Sequence, residues 1–170
     1  YLQEVGAFAP KTIEYSARQL AADIAVYTNI GVSHIESYGS QEALTADKLS
    51  LSTFGKPDGL AIINYDDPIL MGHRFTQQVI TYSLKNPQAM YYAKNILRAD
   101  DGYTFTLVDR AAAEEHPAQI HMLGEHNILN AVVAFAVGKA LQLPDAEILA
   151  GIASYQPSGM RQNLLQVGKY

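Results

Sequence analysis

The chain has 170 residues, 48% of them hydrophobic and none of them cysteine, and a net charge of −5. That length supports one compact domain with a core, or one domain plus a small appendage, and the lack of cysteine excludes a disulfide framework and a thiolate metal site. The acidity is spread without any basic run, which argues against gripping nucleic-acid phosphates, and no window reaches about 18 consecutive apolar residues, so no membrane-spanning helix is predicted. No basic segment precedes an apolar one as in a signal peptide, and a cytoplasmic location is the expectation.

Residues 1–5 read as a strand already under way, which would place the Glu4 carboxylate at its carboxyl end. With no initiator Met, the chain is expected to be an excised domain. Helical spacing through Ile13, Ala17, Leu20 and Ala21 leads into an apolar, β-branched run at 24–29. Strand, helix and strand in so short a span form the βαβ unit of a parallel sheet. Ser40 is a good N-cap, with Glu42 in the first turn and Ala43, Leu44, Asp47, Lys48 and Leu51 continuing a helix to about Phe54. A turn at 55–59 precedes an apolar strand at 60–64, and Asp66-Asp67-Pro68 opens the next turn or helix. A short strand follows at 77–82.

From residue 85 the texture changes to alternation. Residues 90–97 and 103–108 flank Asp101-Gly102, a hairpin signal, and 119–123 is a candidate third strand. Residues 85–123 are therefore predicted to be a small antiparallel sheet attached to the parallel one. A helix starting at His126 carries an apolar stripe of Ile128, Ala131, Val132, Phe135, Ala136 and Ala140. Pro144-Asp145 starts one more helix, 157–159 breaks the chain, and 164–170 resembles a strand cut off before its partner.

Ligands bind at the carboxyl ends of strands in open α/β sheets, which draws attention to Asn29, Ser33, His34 and Glu4. Glu4 and His34 at neighbouring strand ends could serve a hard cation, although one Glu and one His are weak evidence alone. Lys48 on a helix is ordinarily solvated. His126, Asn127 and Asn130 lie at a helix start, where polar groups commonly cap; Asn127 and Asn130, three apart on one face, could also read the edge of a base. Asp66-Asp67 reads as turn chemistry, and His73, His116 and His121 as surface or core histidines.

Six blocks occur in an order that resembles the Mur ligase family. They are Glu4-Val5-Gly6, then Thr28-Asn29-Ile30-Gly31-x-Ser33-His34-Ile35-Glu36-x-x-Gly39-Ser40-x-Glu42, Ala46-Asp47-Lys48, Asn64-x-Asp66-Asp67, Gly124-x-His126-Asn127-x-x-Asn130-Ala131 and Gly159-Met160-Arg161. The resemblance implies an α/β fold, a P-loop-type mononucleotide-binding central domain with a mostly parallel sheet flanked by helices. It implies a middle domain over 1–163, without the upstream P-loop, and the start of a C-terminal domain at 164–170. It further implies an ATP-dependent ligase that joins an amine to a UDP-N-acetylmuramoyl peptide through an acyl phosphate. The histidine loop is most similar to the branch that adds D-alanyl-D-alanine to a tripeptide. Alternatives are a branch adding a single amino acid, a folylpolyglutamate synthase, a cyanophycin-synthetase-like ligase, or a module that binds nucleotide without turnover.

By the same resemblance, Glu4, His34 and a carbamylated Lys48 would hold Mg²⁺, with Lys48 and His34 catalytic. His126, Asn127, Asn130 and Arg161 would bind ATP, and Asn29 and Ser33 would line the muramoyl cleft. Met160 stands where the family pattern has Gly before Arg161. The fragment is expected to be inactive alone and the whole protein monomeric.

Overall fold

The computed structural model describes residues 1–31 and 35–156. The fold is mixed α/β and divides into two compact units, residues 1–81 and the remainder from Tyr82.

In the first unit, α1 (Thr12–Leu20), β1 (Ile24–Tyr27), α2 (Ile35–Tyr38), α3 (Gln41–Thr53), β2 (Leu60–Asn64) and α4 (Pro68–Gly72) follow in order. β1 and β2 pair in parallel, with Ile24 opposite Leu60 and Tyr27 opposite Ile63. Parallel neighbours need a long crossover, which α2 and α3 provide. Helix α3 starts where its cap chemistry predicts: Ser40 is extended and its Oγ accepts from the Ala43 N–H at 3.1 Å. It contributes to two cores. Leu49 packs with Ala25, Tyr27, Ile30, Ala61, Ile63 and Leu70, while Leu44 packs with Ala7, Ile13 and Tyr38.

The chain then runs through β3 (Gln78–Ser83). In the second unit its last residues, Tyr82 and Ser83, pair in parallel with Tyr91 and Tyr92 of β4 (Tyr91–Arg98). β4 pairs antiparallel with β5 (Tyr103–Asp109), which pairs antiparallel with β6 (Glu114–Ile120). The predicted antiparallel set is thus present within 85–123, joined to a parallel neighbour through β4. Helices α5 (Glu125–Ala140) and α6 (Asp145–Ser154) complete this unit. Ile128, Val132 and Phe135 on α5 are fully buried, and each contributes about 2 kcal/mol by leaving water. Phe135 meets Tyr91 edge-on, with centroids 5.8 Å apart.

Two expectations need correction. Residues 1–5 form no strand: Tyr1 and Leu2 are almost fully exposed, and no described strand takes up their backbone groups. Glu4 is therefore not placed at a strand's carboxyl end. The third antiparallel strand begins at Glu114, five residues before the predicted start. Its outward Glu114 and Glu115 and its Pro117, opposite Thr106, disguise it as a loop. Pro117 lacks an N–H, which an edge strand tolerates.

Candidate functional site

The carboxyl end of β1 is held by residues at and just after the end of β2. Asn64 Nδ2 donates to the Thr28 carbonyl at 3.0 Å, and its Oδ1 accepts from the Asp66 N–H. Asp67 divides its two oxygens. Oδ2 accepts from the Ile30 N–H at 2.6 Å, and Oδ1 caps α4 by accepting from Ile69 and Leu70. Sequence reading took this Asp-Asp pair for turn chemistry. It is that, and Asp67 together with Asn64 also fixes the backbone on either side of Asn29.

Lys48 approaches the same rim from α3. Its Nζ donates to the Asn29 carbonyl at 3.4 Å, so Lys48 and Asn29 are brought together through the backbone of Asn29, whose side chain is exposed. Burial lowers the Lys48 pKa, and the nearby Asp67 charge restores part of the loss. Such a lysine carries more neutral amine than a solvated one. Glu4 is exposed, and its carbonyl accepts from Gln3 Nε2 at 2.8 Å. Ser33 and His34 lie outside the described residues.

A second cluster ties segments of this unit together. Buried Asp47, next to Lys48 on α3, accepts from the Glu14 N–H at 2.9 Å, the Ile13 N–H at 3.4 Å and the Tyr38 hydroxyl at 2.6 Å. Tyr38 also reaches the Ala9 carbonyl at 2.7 Å. Helix periodicity alone does not distinguish this Asp from a solvated helix residue; two of its partners, Ile13 and Glu14, lie 34 and 33 residues away and the third, Tyr38, nine.

In the second unit α5 opens at Gly124, whose φ of +98° suits glycine. The His126 ring folds over this position, and an added Cβ would stand 2.5 Å from its Cε1. Asn127 is buried and donates from Nδ2 to the Leu123 carbonyl at 2.8 Å. Asn130 is exposed and donates to Asn127 Oδ1 at 3.4 Å. The predicted pair of amides is therefore brought together, with unequal parts: Asn127 braces the helix start and Asn130 faces outward. Arg161 lies outside the described residues.

Other groupings of this unit hold none of the predicted residues. Glu114, His116 and Asp145 present ligand atoms within 4.8 Å of one another. Lys139 already supplies a cation there, with Nζ 2.9 Å from Asp145, 3.5 Å from buried Asp109 and 3.9 Å from Glu114. His116 Nε2 lies 3.5 Å from Asp145 and 3.7 Å from Glu114 without a hydrogen bond, and the ring meets Phe135 at a tilt with centroids 5.3 Å apart. His121 Nδ1 lies 2.7 Å from Asp101 Oδ2, and in the first unit His73 meets Phe75 edge-on. These histidines have partners that the sequence reading could not name. A groove of 580 Å³ beside α6 is lined by Leu97, Phe105, Pro117 and Leu149 among others.

Against known proteins, residues 1–138 match the Mur ligase middle domain. The chain is 30% identical over 163 residues to the UDP-N-acetylmuramoyl-tripeptide–D-alanyl-D-alanine ligase of Bacillus subtilis (strain 168), covering 96% of this chain and 34% of that protein. It is 32% identical over 163 residues to the UDP-N-acetylmuramate–L-alanine ligase of Acidiphilium cryptum (strain JF-5), covering 89% and 33%. In fold it is similar to the crystal structure of the MurF ligase from Thermotoga maritima in complex with ADP, with a TM-score of 0.80 at 19% identity, over 96% of this chain and 37% of that one. The chain spans about a third of the length of the relatives it matches.

Proposed function

The chain belongs to the Mur ligase family, whose middle domain it matches over residues 1–138, and from that premise we propose that it is the nucleotide-binding part of an ATP-dependent ligase of peptidoglycan precursor synthesis. In this reading the complete protein adds D-alanyl-D-alanine to a UDP-N-acetylmuramoyl tripeptide. The similarity to the Bacillus subtilis ligase and the form of the loop sequence from Thr28 to Ser40 support that substrate pair. The similarity to the Acidiphilium cryptum ligase supports a second reading, addition of L-alanine to UDP-N-acetylmuramate.

Lys48 carries the proposal. A lysine whose amine is half-buried, held at a strand-end carbonyl and shifted toward its neutral form fits a metal site only after losing its positive charge. Attack of the neutral amine on CO₂ forms an N–C bond and releases a proton to solvent, leaving a carbamate with two oxygen donors. Carbamate oxygens suit a hard cation. Glu4, His34 and carbamylated Lys48 would hold Mg²⁺; His126, Asn130 and Arg161 would hold ATP, with Asn127 bracing Asn130. Asn29 and Ser33 would face the muramoyl substrate. Bound Mg²⁺ would supply neutralisation of phosphoryl charge.

The domain limits proposed are 1–163 for the middle domain and 164–170 for the start of the next. The proposal includes a cytoplasmic, monomeric protein, no nucleic-acid partner and no activity for this piece alone. No described helix is long and apolar enough to cross a membrane.

The test is phosphate release by the complete protein with ATP, Mg²⁺, UDP-N-acetylmuramoyl-tripeptide and D-alanyl-D-alanine, omitting each in turn. Release that needs both the muramoyl tripeptide and the dipeptide is expected. Release only with UDP-N-acetylmuramate and L-alanine would select the second reading, and release with no acid–amine pair would refute both. Lys48→Ala should cut turnover, with no recovery in excess bicarbonate.

A further inference from the structure

A buried carboxylate is costly unless donors surround it. Asp47 is buried and is bonded by Ile13 and Tyr38, both members of an apolar cluster with Ala7 and Leu44. Its three donors come from two other elements: the Ile13 and Glu14 N–H groups of α1 and the Tyr38 hydroxyl of α2. Helix α1 has no cap of its own, because Lys11 at its N-cap is left-handed and makes no side-chain cap bond. The Asp47 carboxylate does this work from α3, at the end of α1 where a negative charge is favoured. The Tyr38 hydroxyl proton is shared between Asp47 Oδ2 and the Ala9 carbonyl.

The cluster bears on the proposed site through α3. Lys48 follows Asp47 on α3, about 100° further round the helix, so the anchor that fixes the rotation of α3 also aims Lys48 at the Asn29 carbonyl.

We infer that Tyr38 and Asp47 are positioning residues for Lys48 on the Mg²⁺ side of the proposed site: one shared hydrogen-bond cluster holds α3 against α1 and α2 and so sets where Lys48 stands. The inference rests on the ligase reading above.

The experiment compares Tyr38→Phe, which keeps the ring and loses the hydroxyl, with Leu44→Val, which trims the same buried cluster and leaves every one of these hydrogen bonds. In the complete protein, Mg²⁺ affinity is measured calorimetrically with a non-hydrolysable ATP analogue, beside kcat, KM and thermal melting. Tyr38→Phe should weaken Mg²⁺ about fivefold and lower kcat about tenfold, with KM for the muramoyl substrate within about twofold of the unsubstituted protein. Leu44→Val should lower the melting temperature at least as much and leave Mg²⁺ affinity and kcat unchanged. Unchanged affinity and kcat in Tyr38→Phe, or equal losses in Leu44→Val, would overturn the positioning role alone. Absence of turnover in the unsubstituted protein would overturn the ligase reading and this inference with it.

Discussion

Removing the Asp67 carboxylate should loosen the rim of β1 from a residue that lies beyond β2. In Asp67→Ala, α4 loses its cap at Ile69 and Leu70, which costs about 1 kcal/mol. The Ile30 N–H, in a residue only 4% exposed, loses a charge-assisted acceptor at 2.6 Å, which costs about 2 kcal/mol more. The expected loss is about 3 kcal/mol. Asp67→Asn keeps one acceptor oxygen and so should lose roughly half as much, since the amide nitrogen cannot accept from either side. Urea unfolding read by circular dichroism measures both variants, and hydrogen exchange at the Ile30 amide localises the effect. A second readout separates the charge from the cap. Asp67 is the acid that offsets burial at Lys48, so either variant should lower the Lys48 pKa further and raise its reactivity toward amine-acylating reagents near pH 8. A destabilisation of Asp67→Ala below about 0.5 kcal/mol, or an Ile30 amide as protected as in the unsubstituted chain, would refute the reasoning.

Alkaline pH should destabilise the fold through its buried phenols. Burial raises the pKa of Tyr27, Tyr38 and Tyr91, and the Asp47 carboxylate adds to the effect at Tyr38. A raised folded-state pKa gives stability that is complete below the unfolded value near 10 and is lost as pH rises through the folded value, at up to about 1.4 kcal/mol per pH unit per group. Urea midpoints from about pH 9 to 11 should therefore fall, and fall less steeply in Tyr38→Phe; parallel slopes would count against this account. At the α5–α6 contact, a Cβ on Gly138 would stand 2.7 Å from two side-chain carbons of Ile148. Gly138→Ala should lower stability by about 1 kcal/mol, the overpacking exceeding the gain in helix propensity. Adding Ile148→Ala should relieve the clash, so the two changes are expected to be non-additive in thermal melting.

The elements legible in the sequence were those whose signals are local. Leu60–Asn64 reads as a strand from its own apolar run, and α3 from Ser40 and Glu42, because capping acts within one turn. Residues 1–5 show why pattern alone misleads: apolar residues make a strand only when a neighbour takes the backbone bonds. β6 was largely missed for the converse reason, since its pairing with β5 outweighs a proline and two acids that locally favour a loop. At the candidate site, ordered blocks pointed to Asn29, Lys48, Asn127 and Asn130. The braces behind them, Asn64, Asp67 and the Asp47–Tyr38 pair, act across 36, 37 and 9 residues of chain, and no window of sequence displays those contacts.

The outer side of β6 also bears on how copies of this chain behave beside one another. Among the described residues β6 is an edge strand, and an uncovered edge invites a second molecule to continue the ladder. Here an incoming strand would find no N–H at Pro117. It would also face the exposed Glu114 and Glu115, of which only Glu115 is paired with a lysine of the neighbouring strand, Lys94. The residues that hid this strand from sequence reading are the ones that make it a poor template for aggregation.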